Sequence, residues 1–262
     1  MIAIYAVYLR TRLALQVQYR VAALIWLLTL FLPTIVTMVV WSTVAGAGSV
    51  HGYTAGEFVA YFLVAMLVDH CTFSWVMWDF EFQVRQGTLS PQLLKPLHPI
   101  HAAIADNAGY KAATLAVVLP GMVVLSLLFH PTWHVTVAGL LLFLPSVALA
   151  IVLRFLVEYT LALSGFWTTR IGAINDLYMA VLLFLSGLWV PLAILPAPVR
   201  AVAQLLPFRA MVSFPTEVVL GRVAGRDVAI GLMLQLLWTL AAFALFGLVW
   251  RRGIRAYSAV GA

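Results

Sequence analysis

Six long apolar stretches are the feature of this sequence that most constrains its fold. They cover approximately residues 21–44, 58–78, 112–129, 135–155, 174–190 and 228–250. Each approaches the roughly 20 residues that an α-helix needs to cross a bilayer. Because 64% of the residues are hydrophobic and only 9% are charged, a soluble globule could not bury this much apolar surface. The sequence therefore predicts an all-α polytopic membrane protein with six transmembrane helices. It excludes a disordered chain, a nucleic-acid-binding module and an ordinary cytosolic enzyme.

The distribution of basic residues predicts the orientation. With the N-terminus placed inside, the two short outer loops, residues 45–57 and 130–134, contain no Lys or Arg. The arginines on the outer side all fall in the long segment 191–227. Basic residues accumulate on the cytoplasmic side of membrane proteins, so we predict that both termini are cytoplasmic. The basic residues between the apolar stretches then face lipid headgroups rather than nucleic acid.

The first 20 residues predict an interfacial helix. Ile2, Tyr5, Leu9 and Leu13 recur at helical spacing, with arginines between them. Such a helix lies in the plane of the inner headgroups, with its arginines extended toward water. The alternative is that this segment simply extends the first span.

The interval 79–106 predicts a short cytoplasmic helix. Ser90 suits the N-cap, Pro91 suits the first helical position, and Pro96 is expected to end the helix. The expected helix presents Leu89, Leu93 and Leu94 to the cytoplasm. It either docks into a groove of another protein or lies on the membrane surface. The residues of this candidate coupling segment are Arg85, Gly87, Thr88, Leu89, Ser90, Pro91, Leu93, Leu94, Lys95 and Pro96.

The segment 191–227 is apolar, rich in proline and too short in each of its pieces to cross a membrane. We expect one helix at 199–206 and a second, partly helical piece at 208–221 that Pro215 interrupts. These pieces are predicted to dip into the outer leaflet as re-entrant or interfacial helices. The alternative is a plain hydrophobic outer loop. The residues that mark this segment are Gly187, Pro191, Pro196 and Pro207.

Ionisable residues inside the apolar stretches are costly in lipid and are therefore candidates for function. They are Asp69, His70, Arg154 and Glu158. The last two are four residues apart on one helical face, which predicts an ion pair. The first two either line a substrate path or form interhelical hydrogen bonds that secure packing. Asn175 and Asp176 are expected to cap the start of the fifth span.

Several common chemical motifs are absent from the sequence. It has no phosphate-binding loop, no His-Glu-x-x-His pair and no Cys-x-x-Cys, and its single cysteine excludes an intrachain disulfide. We therefore expect no cofactor in this chain. His98, His101 and Asp106 could serve as acid/base groups of a membrane enzyme acting on lipid or isoprenoid substrates, which is one alternative function. A second alternative is a non-catalytic assembly or immunity scaffold.

Three groups of residues carry a resemblance to a known family. They are Arg85-Gln-Gly87-Thr88-Leu89 with Leu93-Leu94-Lys95-Pro96, then Ser186-Gly187 with the prolines up to Leu206-Pro207-Phe208, and the ending from Arg252 to Gly261. In these features the chain resembles a permease subunit of the ABC-2-type exporter family, in its small six-span branch. The six-span layout covers essentially the whole chain, so we expect one permease domain over residues 1–262.

The resemblance implies a transport protein rather than an enzyme, in the plasma (inner) membrane of a bacterium. Such a permease pairs with an identical or related permease and binds two copies of a separate ATPase, which holds the ATP and Mg²⁺. The helix at Ser90 to Lys95 would be its coupling helix. The substrate would be hydrophobic or amphipathic, such as a lipid, glycolipid, drug or peptide.

Overall fold

The computed structural model describes residues 20–168 and 170–257, and most of them are helical. Eleven α-helices are described, with a two-stranded hairpin between the first two. Their bounds are α1 Arg20–Ala45, β1 Ser49–Val50, β2 Tyr53–Thr54, α2 Ala55–Thr72, α3 Val76–Arg85, α4 Leu89–Leu93, α5 Ile100–Phe129, α6 Val137–Ala162, α7 Ile171–Leu185, α8 Ala197–Leu205, α9 Pro207–Met211, α10 Ser213–Val219 and α11 Arg226–Ala256. Short 3₁₀ turns follow α6 at Leu163–Phe166 and precede α8 at Leu192–Ile194. The predicted interfacial helix at 1–20 falls outside the described residues, except that Arg20 begins α1.

The long helices alternate in direction between two ends of a bundle. At the hairpin end, the loop after α5 reaches the start of α2, where the Thr132 amide donates to the Gly56 carbonyl over 2.9 Å. At the opposite end, which we call the α4 end, the Tyr257 hydroxyl lies 2.9 Å from the Ser90 hydroxyl. The first described helix starts, and the last one finishes, at the α4 end. Both ends of the described chain therefore lie on one side of the bundle.

Helix α2 occupies the centre of the bundle. Nearly every side chain from Phe58 to Met66 is buried, and α2 packs against α1, α5, α6 and α10. Helices α1, α5 and α11 instead expose large apolar side chains, for example Leu28, Leu127 and Phe243. Such a belt of outward-facing apolar residues is suited to a hydrocarbon solvent. Five helical segments among the described residues are long and apolar enough to cross a membrane: Leu28–Ala45, Ala55–Arg85, Ile100–Phe129, Val137–Phe166 and Arg226–Ala256.

The fifth predicted span is shorter than expected. Helix α7 has 15 residues, so it is about 22 Å long, against roughly 30 Å of bilayer hydrocarbon. It ends at Leu185 rather than near 190, because Gly187 has φ +89° and turns the backbone out of the helix. The count of six spans therefore stays a prediction.

The second predicted span differs in another way. Instead of one helix over 58–78, the chain forms α2 and α3 with a break at Phe73, Ser74 and Trp75, and the helical segment continues to Arg85. The break lies in the middle of an otherwise apolar segment. It is stabilised by polar contacts to α6, which are described below.

The proline-rich segment near the hairpin end folds into three short helices. Helix α8 occupies the expected position. Pro215, however, does not interrupt the following piece, because it lies in the first turn of α10, where no backbone N–H donor is required. The interruption falls at Val212 instead, whose φ and ψ of −134° and −64° separate α9 from α10. How deeply these helices enter the outer leaflet stays a prediction.

Candidate functional site

A buried ion-pair cluster connects the α2–α3 break to α6. The Arg154 guanidinium, only 1% exposed, donates from Nε to Glu158 Oε1 over 2.7 Å, which is the ion pair that the four-residue spacing predicts. Its Nη1 donates to Asp69 Oδ1 over 2.6 Å and to Thr72 Oγ1 over 2.9 Å. Sequence reasoning missed the contact to Asp69, because the two residues are 85 positions apart. Their only sequence signal is that both are charges within apolar stretches.

The second carboxylate of the cluster stabilises the break itself. Glu158 is fully buried, and its Oε2 accepts a hydrogen bond from the Ser74 amide over 3.1 Å. Its Oε1 also accepts the Tyr178 hydroxyl of α7 over 3.4 Å. The backbone N–H exposed by the break is therefore satisfied by a side chain of another helix, as buried polar groups require. One arginine and two carboxylates thus join α2, α3, α6 and α7 at the break.

His70 makes a separate interhelical contact. Its Nε2 lies 2.9 Å from the Thr114 hydroxyl of α5. That hydroxyl donates its own proton to the Tyr110 carbonyl over 2.8 Å. Since a hydroxyl has a single proton, Thr114 accepts from His70, and Nε2 carries the hydrogen. The pair Asp69 and His70 therefore packs toward two different helices.

The candidate coupling segment differs from its predicted form in three details. Helix α4 begins at Leu89 after Thr88, so Ser90 lies inside the helix instead of capping it. The helix ends at Leu93, before Pro96 is reached. Leu89 is fully buried in the core, Leu93 is half-buried, and Leu94 is 88% exposed. Leu89 packs into the core of the bundle, which sequence spacing alone did not reveal.

Two contacts with the end of α11 hold this segment in place. Ser90 shares a hydrogen bond with Tyr257, whose ring packs 5.7 Å from the Phe166 ring. Further along, the His98 ring lies 4.2 Å from the Trp250 ring. The segment is therefore attached to the end of the last helix near its middle, at Ser90, and again just beyond Pro96, at His98.

The exposed part of the segment is basic and apolar. Arg85, the last residue of α3, forms an ion pair with Glu81 at 3.6 Å. Gly87 has φ +68° and turns the chain between α3 and α4. The exposed residues of the segment are Arg85, Thr88, Pro91, Leu94, Lys95 and Pro96. Leu94 is 88% exposed, and the exposed Lys95 follows it directly.

Of the three candidate acid/base residues, His98 has a structural role. His98 Nδ1 accepts a hydrogen bond from the Ile100 amide over 3.1 Å at the start of α5. Burial, together with the nearby His101, lowers the pKa of His98, which keeps its imidazole neutral near pH 7. A neutral ring that packs at a tilt of 47° against Trp250 and accepts a hydrogen bond from a backbone amide is a helix-start contact, so this geometry gives no support to general acid/base chemistry.

Of the residues that mark the proline-rich segment, Gly187 lies in a closely packed turn. The Tyr61 hydroxyl of α2 donates to the Gly187 carbonyl over 3.1 Å, and a Cβ at Gly187 would lie only 2.5 Å from that hydroxyl. Pro191 precedes the 3₁₀ turn, Pro196 precedes α8, and Pro207 begins α9. The prolines therefore set the ends of short helices, as their missing N–H allows.

The expectation that Asn175 and Asp176 cap the fifth span is wrong. Helix α7 begins four residues earlier, at Ile171. Asn175 is buried inside the helix and Asp176 is exposed on its second turn. The helix extends further because Ile171 packs against the buried core, which a local capping signal cannot reveal.

The architecture defines a multi-pass all-α membrane protein whose buried charges join several helices and whose short exposed helix leads out of a broken one. Within that class, residues 24–261 match the family described as ABC-2 family transporter protein, so the chain belongs to that family. The match covers most of the sequence and agrees with the resemblance carried by the coupling segment and the proline-rich segment. No curated protein matches the sequence.

Proposed function

We propose that this chain is the permease subunit of an ABC exporter, and that a separate ATPase drives it by binding the candidate coupling segment at α4. The observation that carries the proposal is the exposed Leu94 beside Lys95, just after a one-turn helix that α3 connects to the buried cluster. Family membership supports a transport protein over an enzyme. In this proposal the α4 end is cytoplasmic, both termini are cytoplasmic, and the protein resides in the inner membrane of a bacterium.

The path by which α4 can move the bundle consists of packed elements. Helix α3 joins α4 to the break, and its Phe80 ring contacts the Tyr159 ring at 6.0 Å and the Phe166 ring at 5.4 Å. Just before the start of α3, the Ser74 amide donates a hydrogen bond to Glu158. A displacement of α4 therefore acts on the break through a rigid helix. Because α2 is central, a change at the break alters the packing of α1, α5 and α6 against it.

ATP is held by the partner ATPase in this proposal, and the chemistry of hydrolysis belongs to that partner. This chain contributes the surface on which the ATPase acts and two arrangements of its helices with different packing. A ligand shifts such an equilibrium only by as much as it prefers one arrangement. We propose that closure of two ATPase copies on two permeases, identical or related, provides that preference, and that a hydrophobic or amphipathic substrate then moves outward.

The experiment compares two variants that introduce the same charge in the same segment. Leu94→Asp removes the exposed apolar residue, and Gln86→Asp adds an acid at an exposed position nearby without removing one. The chain is co-expressed with its ATPase and purified, and the retained ATPase and the ATP hydrolysis rate are measured. Burying a leucine stabilises a contact by about 1.5–3 kcal/mol. We therefore expect Leu94→Asp to weaken ATPase binding at least tenfold and Gln86→Asp to change it little. Equal retention and turnover in both variants would remove the coupling proposal.

The two alternative functions make different predictions. A membrane enzyme would act without an ATPase and would depend on His98, His101 or Asp106; the helix-start contact of His98 gives no support to it. A non-catalytic scaffold would bind partners through the same segment without stimulating ATP hydrolysis. The hydrolysis measurement in the co-expressed complex separates the scaffold from the exporter.

A further inference from the structure

A cavity of about 330 Å³ opens beside the α2–α3 break, between α1 and α5. Its volume is within the range of small-molecule sites, roughly 300–1,000 Å³. Four aromatic residues and one carboxylate contribute to its wall. The wall includes Asp69, His70, Phe73, Trp75, Trp78 and Tyr110.

The aromatic rings are arranged as a cage rather than as a stack. Trp75 is perpendicular to Phe73 at 5.0 Å and nearly perpendicular to Tyr110 at 6.2 Å, with interplanar angles of 90° and 87°. Trp78 is tilted 59° from Trp75 at 5.2 Å. Rings oriented this way can present faces to a common space, and the face of an aromatic ring attracts cations.

The charge on the wall of the cavity also favours a cation. Among the described residues of the wall, Asp69 alone has a formal negative charge, and its side chain remains 22% exposed although Arg154 binds Oδ1. His70 carries its hydrogen on Nε2, toward Thr114, as shown above. Arg154 is only 1% exposed, and its charge is offset by Asp69 and Glu158. Lys111 also interacts electrostatically with these carboxylates but does not line the cavity.

The Arg154 guanidinium already makes one cation–π contact, since its central carbon is 5.6 Å from the centre of the Phe73 ring. We infer that the cavity beside the α2–α3 break binds the ammonium headgroup of an amphiphile, with Trp75, Trp78 and Tyr110 around the cation and Asp69 beside it. An anionic headgroup would meet a carboxylate and the negative faces of the rings. If the cavity is the place where the transported substrate enters, that role rests on the proposed function. Binding of the ammonium group at the cavity does not depend on the proposed function.

The cage provides its own test, because Trp78 is 38% exposed and can be replaced without creating a buried cavity. Trp133, 41% exposed in the loop after α5, serves as a matched control far from the cage. Binding of radiolabelled dodecyltrimethylammonium is measured on the permease alone in neutral maltoside micelles, with dodecyl sulfate as the anionic comparison. We expect saturable binding of the cation, at least tenfold tighter than that of the anion.

The variants separate ring chemistry from apolar area. Trp78→Leu should weaken cation binding about three- to thirtyfold, Trp78→Phe should weaken it less, and Trp133→Leu should leave it unchanged. Equal affinity for cation and anion overturns the inference. The inference is also overturned if Trp133→Leu weakens cation binding as much as Trp78→Leu does. It is overturned as well if Trp78→Phe binds the cation no more tightly than Trp78→Leu.

Two lipid environments distinguish the sources of the ammonium group. In nanodiscs of phosphatidylglycerol alone, the probe should bind as in micelles. Adding phosphatidylethanolamine should reduce probe affinity severalfold if a resident lipid headgroup occupies the cage, and should leave it unchanged if the site takes free cationic amphiphiles. Neither measurement includes an ATPase, so loss of the coupling proposal would leave this result standing, and absence of binding would leave the coupling proposal standing.

Discussion

Replacing Arg154 by methionine is the most informative perturbation of this bundle. Methionine has a similar volume but no charge, so Glu158, fully buried, and Asp69 lose the same partner. Removing one member of a buried ion pair costs about 3–5 kcal/mol, because an uncompensated charge stays in the interior. Asp69 adds less to this cost, since its side chain is partly exposed. We expect the unfolding midpoint in detergent to fall by roughly 10 °C.

The double variant Arg154→Met with Glu158→Gln tests whether the cost arises from the unpaired charge. Glutamine keeps an acceptor for the Ser74 amide and removes the charge that Arg154→Met leaves unpaired. The double variant should therefore be more stable than Arg154→Met alone, by about 1–3 kcal/mol. Unfolding is followed by the loss of the monodisperse peak after heating, with Arg252→Met as a control at an exposed position. Additive effects of the two substitutions, or a midpoint for Arg154→Met equal to that of the control, would refute the reasoning.

Three further perturbations address the two ends of the bundle. Gly187→Ala should destabilise the protein by about 2 kcal/mol or more, because the position has φ +89° and a Cβ would meet Tyr61. In the same melting assay Gly87→Ala, with φ +68° and open space around the added Cβ, should cost about 1 kcal/mol. Tyr257→Phe removes the hydrogen bond to Ser90; we expect a stability change near 1 kcal/mol but reduced ATP hydrolysis by the co-expressed complex, and unchanged hydrolysis would show that this contact does not position α4. Arg222→Met breaks the 2.7 Å ion pair with Glu57 and should increase proteolysis at the hairpin end, while an unchanged digestion pattern would argue against this role.

Much of the architecture could be predicted because the bilayer imposes a length and a composition on each helix. Five of the six stretches lie in helical segments long enough to cross, and α8 lies where its prolines indicate. The pair Arg154 and Glu158 could also be predicted, since four residues on a helix fix two side chains on one face. Local sequence rules are sufficient for these features because a helix satisfies its own backbone hydrogen bonds.

Other features depended on contacts between distant residues. The two-residue strands Ser49–Val50 and Tyr53–Thr54 were not predicted, because two residues are too few to show the alternation that marks a strand. Their turn is formed by His51 and Gly52, which both have positive φ. The burial of Leu89 was missed for a similar reason, since a one-turn helix has too few residues to show an apolar period. The start of α7 at Ile171 follows from packing against the core rather than from a cap.

The sequence by itself determined that this chain is a helical membrane protein, that its charges inside apolar stretches need partners, and that the segment around α4 is exceptional in a chain otherwise made of long helices. Only the tertiary structure decided that Asp69 and Glu158 share one arginine, that the second span is broken at Ser74, and that Trp75, Trp78 and Tyr110 surround one cavity. The physical reason is that helix formation in lipid is governed by neighbours along the chain, whereas the cost of a buried charge is relieved by whichever helix packs beside it.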